Sequence, residues 1–293
     1  MQKSVESQAV AWVYDIGHSL RKGGNVHCLM DKMDFSVDRS GPPPTLRSLW
    51  QRFRHAYERD GFAMFSANAF RMITDRCLNK GLRKLQSHFD ARLDRRYGLD
   101  TQGIYFANDM PFSSPHKQFA CNYQPTSEYT FKRLMAYLPK DLTGFDFIDI
   151  GCGKGRVLFY AAAWQFNRIV GVELAPPLAA FAKRNVDLYA AKTGDRRLEA
   201  HCQDAIEMEI PEGPCVFFFA SPFIDPVFGK MLAKIEASYR ANPRKMFVIY
   251  YDSKPVLDLV TRFHFLNLID RGAIWHDPVA IWVYPYAVFE SPD

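Results

Sequence analysis

Apolar residues recur along the second half of the chain in two alternating patterns. Short, nearly continuous apolar runs are typical of buried strands, and the segments between them space their apolar residues as helices do. The short runs are FDFIDI, RIVGVEL, LEAHCQD, CVFFFAS and KMFVIYY. The segments with helical spacing are TSEYTFKRLMAYL, GRVLFYAAAW, PPLAAFAKRNVDLYAAK, PVFGKMLAKIEASYRA and PVLDLVTRF. Strands that alternate with helices predict a doubly wound, mostly parallel sheet with helices on both faces.

The last part of the chain has a different pattern. Two apolar runs, FHFLNLIDRG and AIWVYPYAVF, are joined by a turn-rich stretch around WHDP. A closing strand, turn and strand adds an antiparallel edge, which parallel sheets of this kind often carry. The sequence therefore predicts an α/β fold with a Rossmann-like seven-stranded sheet and an antiparallel C-terminal strand.

The first part of the chain is predicted to be helical. From Leu46 to Tyr57 the apolar residues follow the i, i+3, i+4, i+7 spacing of one buried helix face, and the helical pattern continues to Gly98. We therefore expect two parts, an all-helical region over residues 1–115 and an α/β domain over residues 116–293. The helical region is a candidate cover for a substrate, or a contact in a homodimer.

Charge is uneven along the chain. The net charge is +5, yet residues 45–97 alone hold twelve Lys and Arg against five Asp and Glu. Such a region is either a basic face for an acidic substrate or nucleic acid, or a set of solvated helix faces. Its aromatic residues lie on the apolar stripe, whereas binding of a single strand interleaves aromatics with the basic face. The pattern argues against nucleic acid as a partner.

Composition indicates a globular protein of the cytoplasm. Apolar residues make up 48% of the 293 residues and charged residues 24%, the balance of a packed domain. The six cysteines form no C-x-x-C pair and lack a zinc-like spacing with His, so we expect reduced thiols and no metal. The N-terminus lacks an apolar signal core, and no run approaches the roughly 18 apolar residues of a membrane span.

Three glycines follow the first predicted strand in FIDIGCGKGRV, at Gly151, Gly153 and Gly155. A strand that runs through glycines into a helix brings the backbone close to a ligand. A phosphate-binding P-loop needs Ser or Thr after its Gly-Lys pair, and here Gly155 stands in that place. The next acid, Glu173, ends the second strand about 20 residues on, where a carboxylate can hold both ribose hydroxyls. NAD sites and S-adenosylmethionine sites share that feature.

The combined motifs are more specific. FIDIGCGKGRV, IVGVELAP and CQDA resemble motif I, motif II and the adenine-side acidic loop of class I S-adenosylmethionine-dependent methyltransferases. The resemblance covers roughly Tyr123 to Phe289. It implies a glycine loop under the methionine part of S-adenosylmethionine, with acids at the methionine amine, the ribose and the adenine amino group. The resemblance places the loop at Gly151, Gly153 and Gly155. It places the acid for the methionine amine at Asp149, the acid for the ribose at Glu173 and the acid for the adenine amino group at Asp204.

The residue types agree with this cofactor. S-adenosylmethionine carries a sulfonium and an ammonium and has no phosphate, so carboxylates are its natural partners. An NAD-dependent enzyme is the remaining rival, and Asp204 together with the G-x-G-x-G spacing speaks against it.

Two further elements extend the resemblance. NYQPTSEYTF, with GKGRVLF, is similar to a group of bacterial methyltransferases and, more distantly, to histone-lysine methyltransferases that lack a SET domain. It implies that Tyr123 and Thr126 lie near the cofactor. The alternative is that Tyr123 is an aromatic core residue and Thr126 is a helix cap. FDARLDRRYGLDTQG is also similar to a segment that precedes the core in the bacterial group, without an evident chemical role.

The fourth predicted strand ends in Ser221, Pro222 and Phe223. Amino methyltransferases often place [DNS]-P-P-[YF] here, and relatives of this group have Asn-Pro-Phe. Such a loop offers oxygen atoms to an N–H nucleophile. The single proline and the missing amide leave O-methylation open, and a plain strand-ending turn is the alternative. Ser221 and Tyr123 are the candidate catalytic residues.

Three functions follow from these observations. The first is methyl transfer to an N or O nucleophile of a small molecule or peptide. The second is methylation of protein lysine or another macromolecule, which the distant histone-enzyme similarity and the basic region favour. The third is an inactive scaffold that keeps only the cofactor pocket.

Overall fold

The computed structural model describes residues 91–107, 110–111, 116, 119–223, 226–251, 263–275 and 283–292. The helices predicted for residues 1–90, and the one predicted for PVLDLVTRF, lie outside the described residues. Among the described residues, no helix is long and apolar enough to cross a membrane.

Seven strands form one sheet, as the sequence predicted. They are β1 Asp146–Ile150, β2 Arg168–Glu173, β3 Leu198–Cys202, β4 Cys215–Ala220, β5 Met246–Tyr251, β6 Asn267–Trp275 and β7 Val283–Glu290. Their order is β3-β2-β1-β4-β5-β7-β6. The strands β1 to β5 pair in parallel, and β7 is antiparallel to both of its neighbours, β5 and β6. The predicted Rossmann-like fold with an antiparallel C-terminal strand is confirmed.

Helices cover both faces of the sheet, so its central strands are apolar throughout rather than alternating. The described helices are α1 Arg92–Tyr97, α2 Glu128–Met135, α3 Arg156–Ala161, α4 Pro176–Thr193 and α5 Val227–Ala241. Phe147 and Phe218 point into a core with residues of α2, α3 and α4. Their neighbours Ile148 and Phe217 point into a second core with α5. Every residue of β1 is buried for this reason.

The topology fixes where a ligand can bind. The strand β1 lies between β2 and β4, so the chain winds in one direction from β1 and then in the other. The carboxyl ends of parallel strands meet at one edge of the sheet, and a crevice opens where the winding direction changes. The glycines follow β1, Glu173 is the last residue of β2 and Ser221 follows β4, so all of them border this crevice.

Residues 91–107 fall in the region predicted to be helical. The helix α1 ends at Gly98, whose φ of +74° is left-handed and suits a helix C-terminus. From Leu99 to Ile104 the described chain forms neither helix nor strand.

Candidate active site

A cleft of about 900 Å³, counted with its open mouth, lies at the carboxyl edge of β1, β2 and β4. Its wall brings together residues that are far apart in the sequence. The predicted site residues on this wall are Tyr123, Thr126, Asp149, Gly151, Glu173, Asp204 and Ser221. The other two predicted residues, Gly153 and Gly155, lie in the same loop as Gly151 but do not line the cleft.

The glycine loop needs its glycines for two reasons. Gly151, Gly153 and Gly155 have φ values of +76°, +56° and +84°, a region that other residues rarely adopt. A Cβ atom on Gly151 would also lie 2.2 Å from Cβ of Pro222, and one on Gly153 would lie 2.1 Å from the ring of Tyr123. The absence of side chains therefore lets the loop contact both Tyr123 and the segment after β4.

Glu173 joins the end of β2 to the glycine loop. Its Oε2 accepts a hydrogen bond from the backbone N–H of Gly153 at 2.8 Å, and Oε1 accepts one from Ala175 at 2.7 Å. Burial raises the pKa of the Glu173 carboxyl, and these backbone hydrogen bonds act in the opposite direction. Each carboxylate oxygen has a further lone pair for a ligand hydroxyl. The side chain can hold the loop and a ribose together.

Asp149 is the buried acid of the cleft. Only 2% of its surface is exposed. Burial, together with the nearby Glu173 carboxylate, raises the pKa of Asp149 well above its usual range. A buried carboxylate is costly unless a nearby cation compensates its charge. The site therefore fits a ligand that brings a positive charge, such as the methionine ammonium of S-adenosylmethionine.

Asp204 lies in the loop after β3 and has a partner that the sequence analysis missed. His116 Nδ1 is 2.7 Å from Asp204 Oδ2, and Asp204 Oδ1 accepts a hydrogen bond from Ile206 N at 3.0 Å. His116 Nε2 lies 3.4 Å from Lys230 Nζ. No spacing in the sequence links His116 to Asp204, because 88 positions separate them.

Tyr123 and Thr126 lie on the segment that leads into α2. The Tyr123 hydroxyl donates to the carbonyl of Thr101 at 2.8 Å, and burial raises the pKa of this phenol. The cap of α2 is Ser127, whose Oγ accepts from Thr130 N at 3.1 Å. Thr126 is therefore not the cap; it is buried and lines the cleft.

Ser221 has a strained backbone. Its φ of +48° is left-handed, the only such value at a non-glycine position in the described chain. The segment after it is tied to the rest of the cleft, since Cys121 N donates to Pro222 O and Tyr250 Oη donates to Phe223 O, each at 3.1 Å. Ser221 also lines the cleft. Strain of this kind is concentrated at functional sites.

Comparison with known proteins adds the decisive observation. A family profile described as a methyltransferase domain matches residues 148–227, which run from β1 to the start of α5 and include the glycine loop, Glu173, Asp204 and Ser221. Residues 148–227 of this chain therefore belong to a methyltransferase domain. The predictions of the enzyme class and of S-adenosylmethionine as cofactor are confirmed. Within the described residues, no group of three or more His, Cys, Asp or Glu side chains is placed to hold a metal ion.

Solved structures share the architecture at low identity. One is a methyltransferase of Aquifex aeolicus, 11% identical, with a TM-score of 0.41 over 56% of this chain and 90% of that chain. An RNA methyltransferase of Salinibacter ruber with S-adenosylhomocysteine is 19% identical, with a TM-score of 0.41 over 58% and 95%. The [4+2]-cyclase SpnF is 13% identical, with a TM-score of 0.44 over 72% and 96%. A comparison with curated protein sequences found no match.

Proposed function

We propose that this methyltransferase modifies an N or O nucleophile of a small molecule or peptide. One observation carries the proposal: Tyr123 and Ser221 lie on the wall of the same cleft as the three cofactor-type acids. The ring of Tyr123 packs on Gly153, and Pro222, the residue after Ser221, packs on Gly151. Tyr123 and the segment that carries Ser221 therefore both lie against the glycine loop. The acceptor is expected to enter between them.

The cofactor-side residues are Asp149, Glu173 and Asp204. Asp149 would hold the ammonium, Glu173 the ribose hydroxyls and Asp204 the adenine amino group. When bound, the cofactor supplies a methyl group that is already activated by its sulfonium. The protein must then mainly align the acceptor and exclude water, and alignment can contribute roughly 7–11 kcal/mol to lowering the barrier.

The acceptor-side residues have distinct roles. The Ser221 hydroxyl oxygen can accept a hydrogen bond from the N–H or O–H group of the acceptor. This hydrogen bond would direct the lone pair of the acceptor's nitrogen or oxygen at the methyl group. Tyr123 is not the base, because burial raises the pKa of its phenol and its proton is donated to Thr101. Its ring closes one wall of the cleft and keeps water away.

The charges of the cleft favour a neutral acceptor. Its wall carries three acidic residues, and all of them occupy cofactor positions. The other side chains of its wall include the uncharged Cys121, Asn122 and Phe223, and also His116 and the cationic Arg156, which would repel a charged amine. A lysine substrate would need a group to attract and deprotonate its ammonium.

The proposal is tested by methyl transfer from isotopically labelled S-adenosylmethionine. The full-length protein is offered amines, phenols, other alcohols, carboxylic acids and short peptides, and in parallel intact proteins and RNA. Labelled product is identified by mass spectrometry. Label in one or more of the small acceptors supports the proposal, and label in protein or RNA alone overturns it in favour of the macromolecular alternative.

Two variants of Ser221 distinguish the role of its hydroxyl group from the role of its backbone conformation. Ser221→Gly and Ser221→Ala both remove the hydroxyl, but only glycine accepts a φ of +48° without strain. If the hydroxyl aligns the acceptor, both variants lose turnover by at least about tenfold, while Ser221→Gly melts at or above the wild-type temperature. Wild-type turnover in Ser221→Gly would show that Ser221 serves only the turn.

A further inference from the structure

Residues 94–105, here called the upstream segment, precede the region matched by the methyltransferase profile. Thr101 is its centre and is completely buried. Its N–H and its hydroxyl donate to the two carboxylate oxygens of Asp94, at 2.9 and 2.6 Å. Its hydroxyl oxygen accepts from Arg156 Nε at 2.8 Å, and its carbonyl accepts from the Tyr123 hydroxyl at 2.8 Å. Every polar atom of Thr101 is therefore used, and two of its partners belong to the cleft.

Lys154 makes a second connection from the glycine loop. Its ammonium donates to Asp100 Oδ1 at 2.8 Å and to the carbonyl of Gln102 at 2.9 Å. It also lies 4.6 Å from the ring centre of Tyr105 and 4.2 Å from that of Phe181. With 1% of its surface exposed, Lys154 holds the upstream segment and does not reach out to an anion.

Asn185 of α4 completes the attachment. Its Oδ1 accepts from Asp100 N at 3.0 Å, and its Nδ2 donates to the carbonyls of Asp100 and Lys154 at 2.8 and 3.0 Å. One buried amide thus binds the upstream segment, the glycine loop and α4 together. Each polar atom of the Asn185 side chain is thereby used, and such buried hydrogen bonds restrict the geometry of the groups that they join.

These contacts enclose the glycine loop from two sides. Glu173 holds Gly153 from the sheet, and Tyr123, itself held by Thr101, packs on Gly153 from the other side. We propose that the upstream segment positions the glycine loop and Tyr123 for S-adenosylmethionine, with Thr101 as the central positioning residue. The methyltransferase domain then begins before residue 94, and the boundary predicted at 115/116 would cut through its cofactor site.

The test compares two substitutions in the full chain. Thr101→Val keeps the shape of the side chain but removes the hydroxyl from Asp94 and Arg156, whereas Thr101→Ser keeps the hydroxyl. The dissociation constant of S-adenosylhomocysteine is measured by calorimetry, and the melting temperature is measured on the same samples. We expect binding about tenfold weaker in Thr101→Val, since the broken hydrogen bonds are buried and involve charged groups. Thr101→Ser should stay within about threefold of the wild type.

Ser291→Ala is the matched control. Ser291 is also fully buried, and its hydroxyl accepts from Met246 N at 3.0 Å and donates to Arg244 O at 3.1 Å, at the amino end of β5. This variant should lower the melting temperature and leave the dissociation constant unchanged. If Thr101→Val behaves in the same way, the upstream segment only stabilises the fold and the proposal is wrong.

A second variant covers the case in which Thr101→Val fails to fold. Tyr123→Phe removes only the hydrogen bond to Thr101 and keeps the ring on Gly153. It should weaken binding of S-adenosylhomocysteine severalfold, and unchanged binding would overturn the proposal. The measurement uses no acceptor, so its outcome is independent of whether the proposed acceptor class is correct.

Discussion

The carboxylate of Glu173 is hydrogen-bonded to the backbone of Gly153, with Oε2 and N 2.8 Å apart. Its other oxygen accepts from Ala175 at the start of α4. Glu173, which is expected to bind the ribose, therefore also fixes the position of the glycine loop that is expected to lie under the methionine part of the cofactor. The ribose side and the methionine side of the cofactor site thus both depend on the Glu173 side chain, and a substitution there should weaken the binding contacts on both sides.

Glu173→Gln should weaken cofactor binding and destabilise the protein. A glutamine side chain has one oxygen, so its NH₂ group must face one of the two backbone N–H donors. A buried donor left without an acceptor costs about 1–3 kcal/mol, which is roughly a tenfold loss of affinity or more. Calorimetry with S-adenosylhomocysteine and a thermal melt check both effects.

Glu199→Gln is the control for this substitution. Glu199 lies on the neighbouring strand β3, its side chain is 44% exposed, and it pairs only at the surface with His201. The variant should bind the cofactor as the wild type does. Equal losses in the two variants would mean that charge alone, and not the clamp, determines binding.

Gly153→Ala should abolish cofactor binding at ordinary concentrations. The new Cβ would lie 2.1 Å from the ring of Tyr123, and the φ of +56° is strained for alanine. The loop must then move, Tyr123 must move, or both. Gly194→Ala is a matched control, because its φ is +77° but its Cβ would meet nothing within 4 Å. That variant should lose about 1 kcal/mol of stability from backbone strain and bind S-adenosylhomocysteine normally; weakened binding there would contradict this interpretation.

The fold was predictable because its central strands are buried on both faces. Runs such as Cys215–Ala220 have nearly continuous apolar character, which only a covered sheet requires. What the sequence analysis did not predict is that β7 enters between β5 and β6, which leaves β6 at the edge. Both strands have similar local patterns, and pairing partners depend on contacts that local patterns do not encode.

The residues on the cofactor side of the site were easier to predict than the residues that hold them in position. Glycines and acids at strand ends follow from the chemistry of the ligand, and the topology places them together. The partners His116 and Thr101 could not be predicted, because they act across long sequence separations from loops without periodicity. Lys154 and Arg156 were visible in GKGRV, but the sequence could not show that their side chains point to the upstream segment.

Thermal melts with different ligands should distinguish S-adenosylmethionine from other nucleotide cofactors. S-adenosylmethionine and S-adenosylhomocysteine should each raise the melting temperature, and NADH and ATP should not, because Asp149, Glu173 and Asp204 would repel phosphates. A ligand at 100 times its dissociation constant adds about 2.7 kcal/mol, or very roughly 5–10 °C for a chain of this size. A shift with NADH alone would contradict the cofactor assignment. The shift should disappear in Glu173→Ala.

Asp149 should make the stability of the ligand-free protein depend on pH. Burial and the neighbouring Glu173 raise the pKa of Asp149 in the folded state, so the folded protein holds this proton more tightly than the unfolded chain does. The stability linked to the proton is present in full below the ordinary pKa and is lost as pH rises through the raised pKa. The melting temperature should fall over that interval, and it should fall less in Asp149→Asn.

An exposed aspartate with the opposite shift provides the control. The backbone N–H of Thr143 lowers the pKa of Asp141, so its contribution is present above the ordinary pKa and is lost as pH falls. Asp141→Asn should therefore leave the loss of stability at higher pH unchanged. A wild-type protein whose melting temperature stays constant as pH rises through the interval would contradict the assignment to Asp149.

Cofactor binding should have the opposite pH dependence. An ammonium favours the ionised carboxylate, so affinity for S-adenosylhomocysteine should rise with pH through the raised pKa, and binding below it should release a proton. Because Asp149 and Glu173 interact, the apparent midpoint belongs to the pair. Calorimetry in two buffers with different ionisation enthalpies counts the protons released. Asp149→Asn should bind more weakly and release fewer protons, and an unchanged proton count in that variant would assign the titration to another group.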